Sequence, residues 1–275
     1  MSTLSAILVY LCAPCLVVWS LMDLDFSLVG LGYMGLFFIV TLILQCAFMG
    51  ILYLLICRKH KESKYRIFTI ASVLGNVGFF GKPMVQALLP NNPEALVYSS
   101  MFSISLNFLV FSVGVFCLTG KKEYMTLKAA ICTPNMVGLL IGLPLYIFGA
   151  KYFLPNMLTE SIRLLGNMTT PLCMLILGIR LATVPLKRLF TRPIIYVLCV
   201  SKMMVYPLFC YAAVYFLPLP VSFKASILIL SAVPCASVIL NMAELHHSET
   251  EMAANCVMVT TLLCFITMPI MMLLL

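Results

Sequence analysis

The chain has 275 residues, of which 63% are hydrophobic and only 9% are charged. A soluble domain carries roughly 25% charged residues, so this composition excludes an ordinary water-soluble fold and indicates that lipid is the solvent. The formal net charge is +8, but the basic residues stand in short clusters between apolar stretches, which is typical of membrane loops. We therefore expect an all-α polytopic membrane protein with no nucleic-acid partner.

Nine stretches of the chain are apolar and long enough to cross a bilayer as a helix, which takes about 20 residues. They lack the period-two alternation of a membrane strand, and an open strand could not satisfy its backbone in lipid. The nine predicted transmembrane helices lie near residues 4–22, 29–57, 66–89, 95–119, 129–149, 159–182, 191–217, 223–243 and 253–275.

The loops between these spans alternate in charge. Lys and Arg cluster in residues 58–66, 121–128 and 180–192, and the intervening loops are poorer in both. Loops rich in Lys and Arg remain on the cytoplasmic side of the membrane. The pattern predicts a multi-pass protein of the cytoplasmic (inner) membrane, with the amino terminus inside and the carboxyl terminus outside.

Matching interruptions occur in equivalent spans, as in transporters that arose by duplication. Pro14 in the first span corresponds to Pro171 in the sixth, and residues 75–83 in the third correspond to residues 231–237 in the eighth. Five spans, an odd number, separate the equivalent positions. The two halves are therefore predicted to be inverted relative to each other in the membrane.

The two repeats are predicted to comprise residues 1–120 and 121–275. The second repeat contains five spans and the first contains four. We therefore expect that the first helix of a ten-helix arrangement is missing from this chain or precedes its first residue.

Residues 75–83 combine three glycines, an asparagine and a proline near the middle of a span. Proline removes a helix hydrogen bond, and unwound backbone is tolerated in a membrane only where protein or water lines it. We interpret the segment as a helix unwound into two halves, whose ends offer N–H groups to anions and C=O groups to cations. A structural kink without a ligand is the alternative.

Lys82 and Lys202 fall inside predicted spans. A lysine near the bilayer centre costs about 3 kcal/mol on insertion scales, so each needs water, a partner or a ligand. We interpret Lys82 as the countercharge of an anionic substrate and Lys202 as a second candidate charge partner. The alternative for both is a lysine that reaches water or is neutral. Since no Asp or Glu lies deep in a span, an anion or helix carbonyls are the expected partners.

Other polar residues leave two interpretations open. Ser103 and Asn107 share a helical face, and Asn241 follows Pro234 closely; substrate contact and hydrogen bonding between helices are both compatible with them. Residues 244–251 combine Glu and His, but their spacing matches no zinc motif. We expect a solvated loop there, no metal site and no cofactor.

At these residues the chain resembles the auxin efflux carrier family, in the bacterial branch of malate- and malonate-permease-like proteins. The resemblance extends over essentially the whole chain. The matching motifs are Asn76 followed by Gly81-Lys82-Pro83, Lys202 five residues before Pro207, Ala232-Val233-Pro234, and Asn241 to Glu244. Lys82 departs from the family, in which this position is usually apolar.

The resemblance implies ten helices in two inverted five-helix repeats, with two proline-broken crossover helices at the substrate site. A scaffold domain would contain the helices near 4–22, 129–149 and 159–182, and a transport domain would contain 29–119 and 191–275. A homodimer through the scaffold helices is then expected, with membrane lipid and a small organic anion as further partners. The residues expected to bind substrate are Asn76, Gly81, Lys82, Pro83, Asn107, Pro234, Cys235 and Ser237.

The sequence thus predicts a secondary active or potential-driven transporter of small organic anions, with dicarboxylates as one option, that works by elevator-type alternating access. No nucleotide-binding loop is found that would couple transport to ATP. A sodium-coupled carrier similar to the bile-acid symporters, a channel and an intramembrane enzyme are the alternatives. We expect no enzyme, because the spans contain neither a nucleophile–base pair nor paired aspartates.

Overall fold

The computed structural model describes residues 2–60, 62–114, 133–182, 193–245 and 249–275. In these residues the regular structure is helical, apart from one isolated antiparallel bridge. The helices are α1 (Thr3–Met22), α2 (Leu28–Ile56), α3 (Ser63–Ala71), α4 (Lys82–Leu88), α5 (Pro93–Gly114), α6 (Pro134–Ile147), α7 (Asn156–Asn167), α8 (Thr169–Ala182), α9 (Pro193–Tyr215), α10 (Val221–Ser231), α11 (Ser237–Leu245) and α12 (Thr250–Met272).

Helices occupy the predicted spans wherever these are described. In the described part of the chain, five helices are long and apolar enough to cross a membrane: α1, α2 with the short turn after it, α5, α9 and α12. α6 and α10 are apolar but shorter, and the third and eighth spans are each divided into two short helices. The prediction of an all-α, multi-pass membrane protein is confirmed.

Among the prolines that lie inside helical segments, three follow a wide turn and do not break the helix. Pro14, Pro83 and Pro207 each follow a wide, π-type turn, in which the backbone carbonyls are spaced so that the proline ring avoids the preceding turn. The prediction that Pro14 interrupts the first span is therefore wrong, since α1 continues through it. The three wide turns are Leu8–Cys12, Val77–Gly81 and Ser201–Val205.

Both predicted crossover helices are interrupted. Residues 72–76 separate α3 from the wide turn that begins the next half-helix, and residues 232–236 separate α10 from α11. Pro234 lies within the second break, as predicted. Each crossover therefore consists of two half-helices that meet at an extended segment.

The first break ends earlier than the sequence suggested. Asn76 caps the following turn, because its side-chain Oδ1 accepts a hydrogen bond from the Phe79 backbone N–H at 3.4 Å. Gly81 and Pro83 are helical, so the prediction that the chain is unwound as far as Pro83 is wrong. The physical reason is that the wide turn before Pro83 spaces the carbonyls so that the proline ring avoids the preceding turn, and the helix continues through it.

The two breaks cross and pair with each other as a short antiparallel bridge. The Asn76 backbone N–H donates to the Pro234 carbonyl at 2.8 Å. The Ala236 backbone N–H donates to the Leu74 carbonyl at 2.9 Å. Unpaired backbone groups cost several kcal/mol each in a bilayer, so each break stabilises the other.

The helices pack in two groups. α1 contacts α6 and α7, whereas α2 contacts α5, α9 contacts α10 and α12, and α11 contacts α12. The predicted division into a scaffold and a transport domain, and which of the two moves, stay predictions. The predicted repeat boundary at 120/121 lies outside the described residues.

Glycines bring α6 and α7 close to the backbone of α1. A Cβ added at Gly138 would lie 2.9 Å from the Pro14 carbonyl oxygen. One added at Gly142 would lie 2.8 Å from a Leu21 methyl group, and one at Gly166 would also meet the α1 backbone. Gly138 and Gly142 have the G-x-x-x-G spacing that allows close helix packing in membranes.

Replacing Gly138 with valine is expected to lower the free energy of unfolding by about 1–3 kcal/mol, because the added side chain pushes α6 away from α1. Thermal unfolding of the purified protein in detergent measures the change. Gly32→Val in α2 is the control, since a Cβ at Gly32 meets no other atom within 4 Å. Equal melting temperatures for the two variants would contradict the close packing.

Candidate functional site

A cavity of about 300 Å³ lies where the two crossovers face α1, α5 and α6. This volume is at the lower end of the range for small-molecule sites. Among the described residues that line it none is charged. Its polar lining consists of Ser5, Asn76, Ser103, Asn107, Asn135 and Ser237.

Asn76 provides the most informative group in the cavity. Its side chain is only 5% exposed, and Oδ1 is engaged in capping the next turn. Its Nδ2 has no hydrogen-bond partner among the described residues. A buried polar group without a partner costs about 1–3 kcal/mol, so a ligand that accepts a hydrogen bond from this amide would recover that free energy.

The second half-helix of each crossover begins at the cavity. Val77 and Gly78 line it from the wide turn ahead of α4, and Ser237, the first residue of α11, lines it from the other crossover. The amino-terminal end of a helix carries a partial positive charge, although the Val77 N–H already donates to the Gly75 carbonyl at 2.9 Å and the Phe79 N–H to Asn76 Oδ1. The two half-helices therefore favour a negatively charged group between them.

Asn107 and Ser103 line the cavity from α5, on the shared face that the sequence predicted. Ser103 Oγ also donates to the Ser99 carbonyl at 2.9 Å, within its own helix. Substrate contact by Asn107 stays a prediction.

Two polar residues that line the cavity, Ser5 and Asn135, were not predicted from the sequence. Each lies near the start of an apolar helix, where a polar side chain normally indicates the end of a span.

Lys82 lies beside the cavity without lining it. The side chain is 1% exposed, and its Nζ donates to Asn135 Oδ1 at 3.4 Å. Asn135 itself lines the cavity, so the ammonium group is one side chain away from a ligand there. The interpretation of Lys82 as a countercharge stays a prediction.

Lys202 is buried at the crossing and does not line the cavity. Its Nζ donates to the backbone carbonyls of Val73 and Ser231, at 3.1 Å each. Helix carbonyls were one of the two kinds of partner that the sequence suggested.

Four further residues predicted to bind substrate support the crossing and do not line the cavity. Gly81 lets α10 approach, because a Cβ there would lie 3.2 Å from a Leu230 methyl group. Pro83 is buried in α4, and Pro234 accepts the backbone hydrogen bond described above. Cys235 donates through its backbone N–H to Thr260 Oγ1 at 3.0 Å. Direct contact between these residues and a substrate stays a prediction.

The Glu- and His-containing segment after α11 is only partly described. His246 and His247 lie outside the described residues, as do the side chains of Asn241 and Glu244. Among the described residues, no group of three or more His, Cys, Asp or Glu side chains could hold a metal ion.

Comparison with known proteins agrees with this architecture. The chain matches the family model for membrane transport proteins over residues 1–130 and 123–272. It is similar to the uncharacterized transporter MJ1031 of Methanocaldococcus jannaschii, with 25% identity over 228 residues that cover 81% of this chain and 73% of that protein. Both comparisons point to a transporter rather than an enzyme. The chain therefore belongs to the membrane transport protein family, that of the auxin efflux carriers.

Proposed function

We propose that this membrane transporter carries a small organic anion, such as a short dicarboxylate. The observation that carries the proposal is Asn76, which lines a cavity bordered by the amino-terminal ends of two half-helices and whose amide Nδ2 has no hydrogen-bond partner among the described residues. Amide and backbone N–H groups are donors, and carboxylate oxygens are the acceptors that match them.

The remaining lining of the cavity supports an anion of modest size. About 300 Å³ holds a ligand of a few non-hydrogen atoms with some water. Since no acidic side chain lines the cavity in the described part of the chain, a bound carboxylate meets no like charge. The Lys82 ammonium lies behind Asn135 and adds a positive charge close to the site.

We propose elevator-type alternating access because the cavity lies between the two groups of helices. Polar contacts join the first crossover to α6 and α8 near the cavity: Lys82 with Asn135, Thr170 with Gln86 at 2.9 Å, and Cys173 with the Gly78 carbonyl at 3.6 Å. A sliding movement of the crossovers along α6 and α8 would exchange these contacts and carry the cavity with it.

The proposed location is the cytoplasmic membrane, with the basic loops inside and the carboxyl terminus outside. Ser5 and Asn135 line the cavity and lie near the start of their helices, on the side that this orientation places in the cytoplasm. In this orientation the cavity lies toward the cytoplasm, which supports the proposal of an inward-facing state. A homodimer through α1, α6 and α7 is proposed from the resemblance to the family.

Counterflow in proteoliposomes tests the transport proposal. Vesicles loaded with unlabelled malonate or malate are diluted into radiolabelled malonate. We expect saturable uptake that internal dicarboxylate stimulates. Net uptake into vesicles without internal dicarboxylate is expected to increase with an inside-positive membrane potential, because a dianion is drawn toward positive potential. Protein-free vesicles are the control, and malonamide, an uncharged analogue, is expected not to compete.

Two outcomes would separate the rival functions. Flux that rises linearly with concentration and shows no stimulation from the opposite side would contradict a carrier and favour a channel. Competition by malonamide as strong as that by malate would contradict recognition of the negative charge.

A further inference from the structure

Lys202 joins the two crossovers through their backbone carbonyls. Its Nζ lies 3.1 Å from the Val73 carbonyl oxygen, just after α3, and 3.1 Å from the Ser231 carbonyl oxygen, at the end of α10. The side chain is 0% exposed, and Nζ lies 4.6 Å from the centroid of the Tyr206 ring. None of the ion pairs among the described residues includes Lys202.

The directions of the half-helices make this place favourable for a cation. α3 and α10 both end at the crossing, so their carboxyl-terminal ends, which carry partial negative charge, converge on Nζ. Unwound carbonyls and the carboxyl-terminal ends of half-helices are the groups that hold coupling cations in transporters with broken helices. The opposite ends, at the start of α11 and of the wide turn before α4, border the cavity.

The surroundings of Nζ leave little space for a second ion. A Cβ added at Gly75 would lie 3.2 Å from Nζ and 2.6 Å from a Val233 methyl group. The aromatic face of Tyr206 adds a cation–π contact. A neutral donor could also form hydrogen bonds with two carbonyls. Only a cation is stabilised in addition by the partial negative charge of the two converging helix ends.

We propose that the Lys202 ammonium is a tethered cation, permanently occupying a small-cation site between the two crossovers, so that no mobile cation has to bind there. The site without the lysine would take a small primary ammonium ion or an alkali-metal ion. Because Lys202 stays in the protein throughout a cycle, the charge moved per cycle would equal that of the substrate alone. This consequence rests on the proposed function, whereas the cation site itself does not.

The first test measures binding and needs no transport activity. Lys202→Ala is purified, and its thermal unfolding is recorded with propylammonium, sodium or tetramethylammonium chloride at equal ionic strength. We expect propylammonium or sodium to raise the Tm of this variant by about 2–4 °C at about five times its Kd. Tetramethylammonium, which has no N–H donor and is bulky, is expected to have no such effect.

Lys224→Ala is the matched control, because Lys224 Nζ donates to a single carbonyl, that of Tyr215, at 2.8 Å on the surface. It is expected to respond to the three salts as the unchanged protein does. Equal responses of Lys202→Ala and Lys224→Ala would overturn the tethered-cation proposal.

The second test uses the unchanged protein, so it tests the tethered-cation proposal even if Lys202→Ala does not fold. Malonate counterflow is measured with sodium fully replaced by choline on both sides of the membrane. Unchanged counterflow supports the tethered cation, and loss of counterflow without sodium would overturn it. If no anion shows counterflow in any salt, the proposed function fails, and the unfolding measurements still decide whether the crossing holds a cation site.

Discussion

An Asn76→Asp variant is expected to fold normally and to lose anion binding and transport. The carboxylate keeps an oxygen that can cap the turn at Phe79, as Oδ1 does now, and an acidic residue is favourable at a helix amino terminus. The unpaired amide donor is lost, however, and a negative charge takes its place. We expect the Kd for malonate to rise at least tenfold, which corresponds to about 1.4 kcal/mol.

Malonate titrations followed by thermal shift give the binding change, and counterflow gives the transport change. Asn156→Asp is the matched control, because Asn156 is an exposed asparagine at the start of another helix, α7. Asn76→Ser, which keeps a capping oxygen and removes the amide without adding charge, separates loss of the amide from repulsion. Malonate affinity in Asn76→Asp equal to that of the control would show that the anion does not meet this amide.

The apolar spans could be predicted closely from the sequence because length and hydrophobicity alone determine them. The predicted span at 29–57 coincides with α2, Leu28–Ile56, within one residue at each end. A membrane helix satisfies its own backbone, so its existence depends on local sequence and on lipid. No knowledge of neighbouring helices is needed for such a span.

The breaks were predictable only in part, since their positions depend on partners far along the chain. Glycine, asparagine and proline indicated an interruption in the third span, but Pro83 lies beyond it in a helix. The interruption ends at Asn76 because its backbone N–H pairs with Pro234, in the other half of the protein. Local rules for proline describe what a helix tolerates and do not describe which distant segment replaces its hydrogen bonds.

The residues of the candidate site were also predictable only in part. Asn76 could be found from its place in an unwound segment, whereas Asn135 could not, because its position on the cavity depends on how α6 packs. The partners of Lys202 are separated from it by 129 and 29 residues. A sequence shows that such a lysine needs a partner, and the packing of helices decides which carbonyls provide it.

A Gly75→Ala variant is expected to lose stability and transport together, because Gly75 lies where the two breaks cross. An added Cβ would lie 2.6 Å from Val233 Cγ2 and 3.2 Å from Lys202 Nζ. Val233 is 0% exposed, and a β-branched side chain cannot easily rotate out of the way. We expect the free energy of unfolding to fall by about 1–3 kcal/mol, measured by thermal or denaturant unfolding in detergent.

Two further variants make this prediction specific to the crossing. Gly35→Ala in α2, where a Cβ would meet no other atom within 4 Å, is expected to keep its stability, since alanine favours a helix more than glycine does. Val233→Ala removes the methyl group that a Cβ at Gly75 would strike, so the double variant should be more stable than the sum of the two single changes predicts. Strictly additive effects would show that the two breaks do not touch at Gly75 and Val233, and would remove the geometric basis for placing the cavity and the cation site at this crossing.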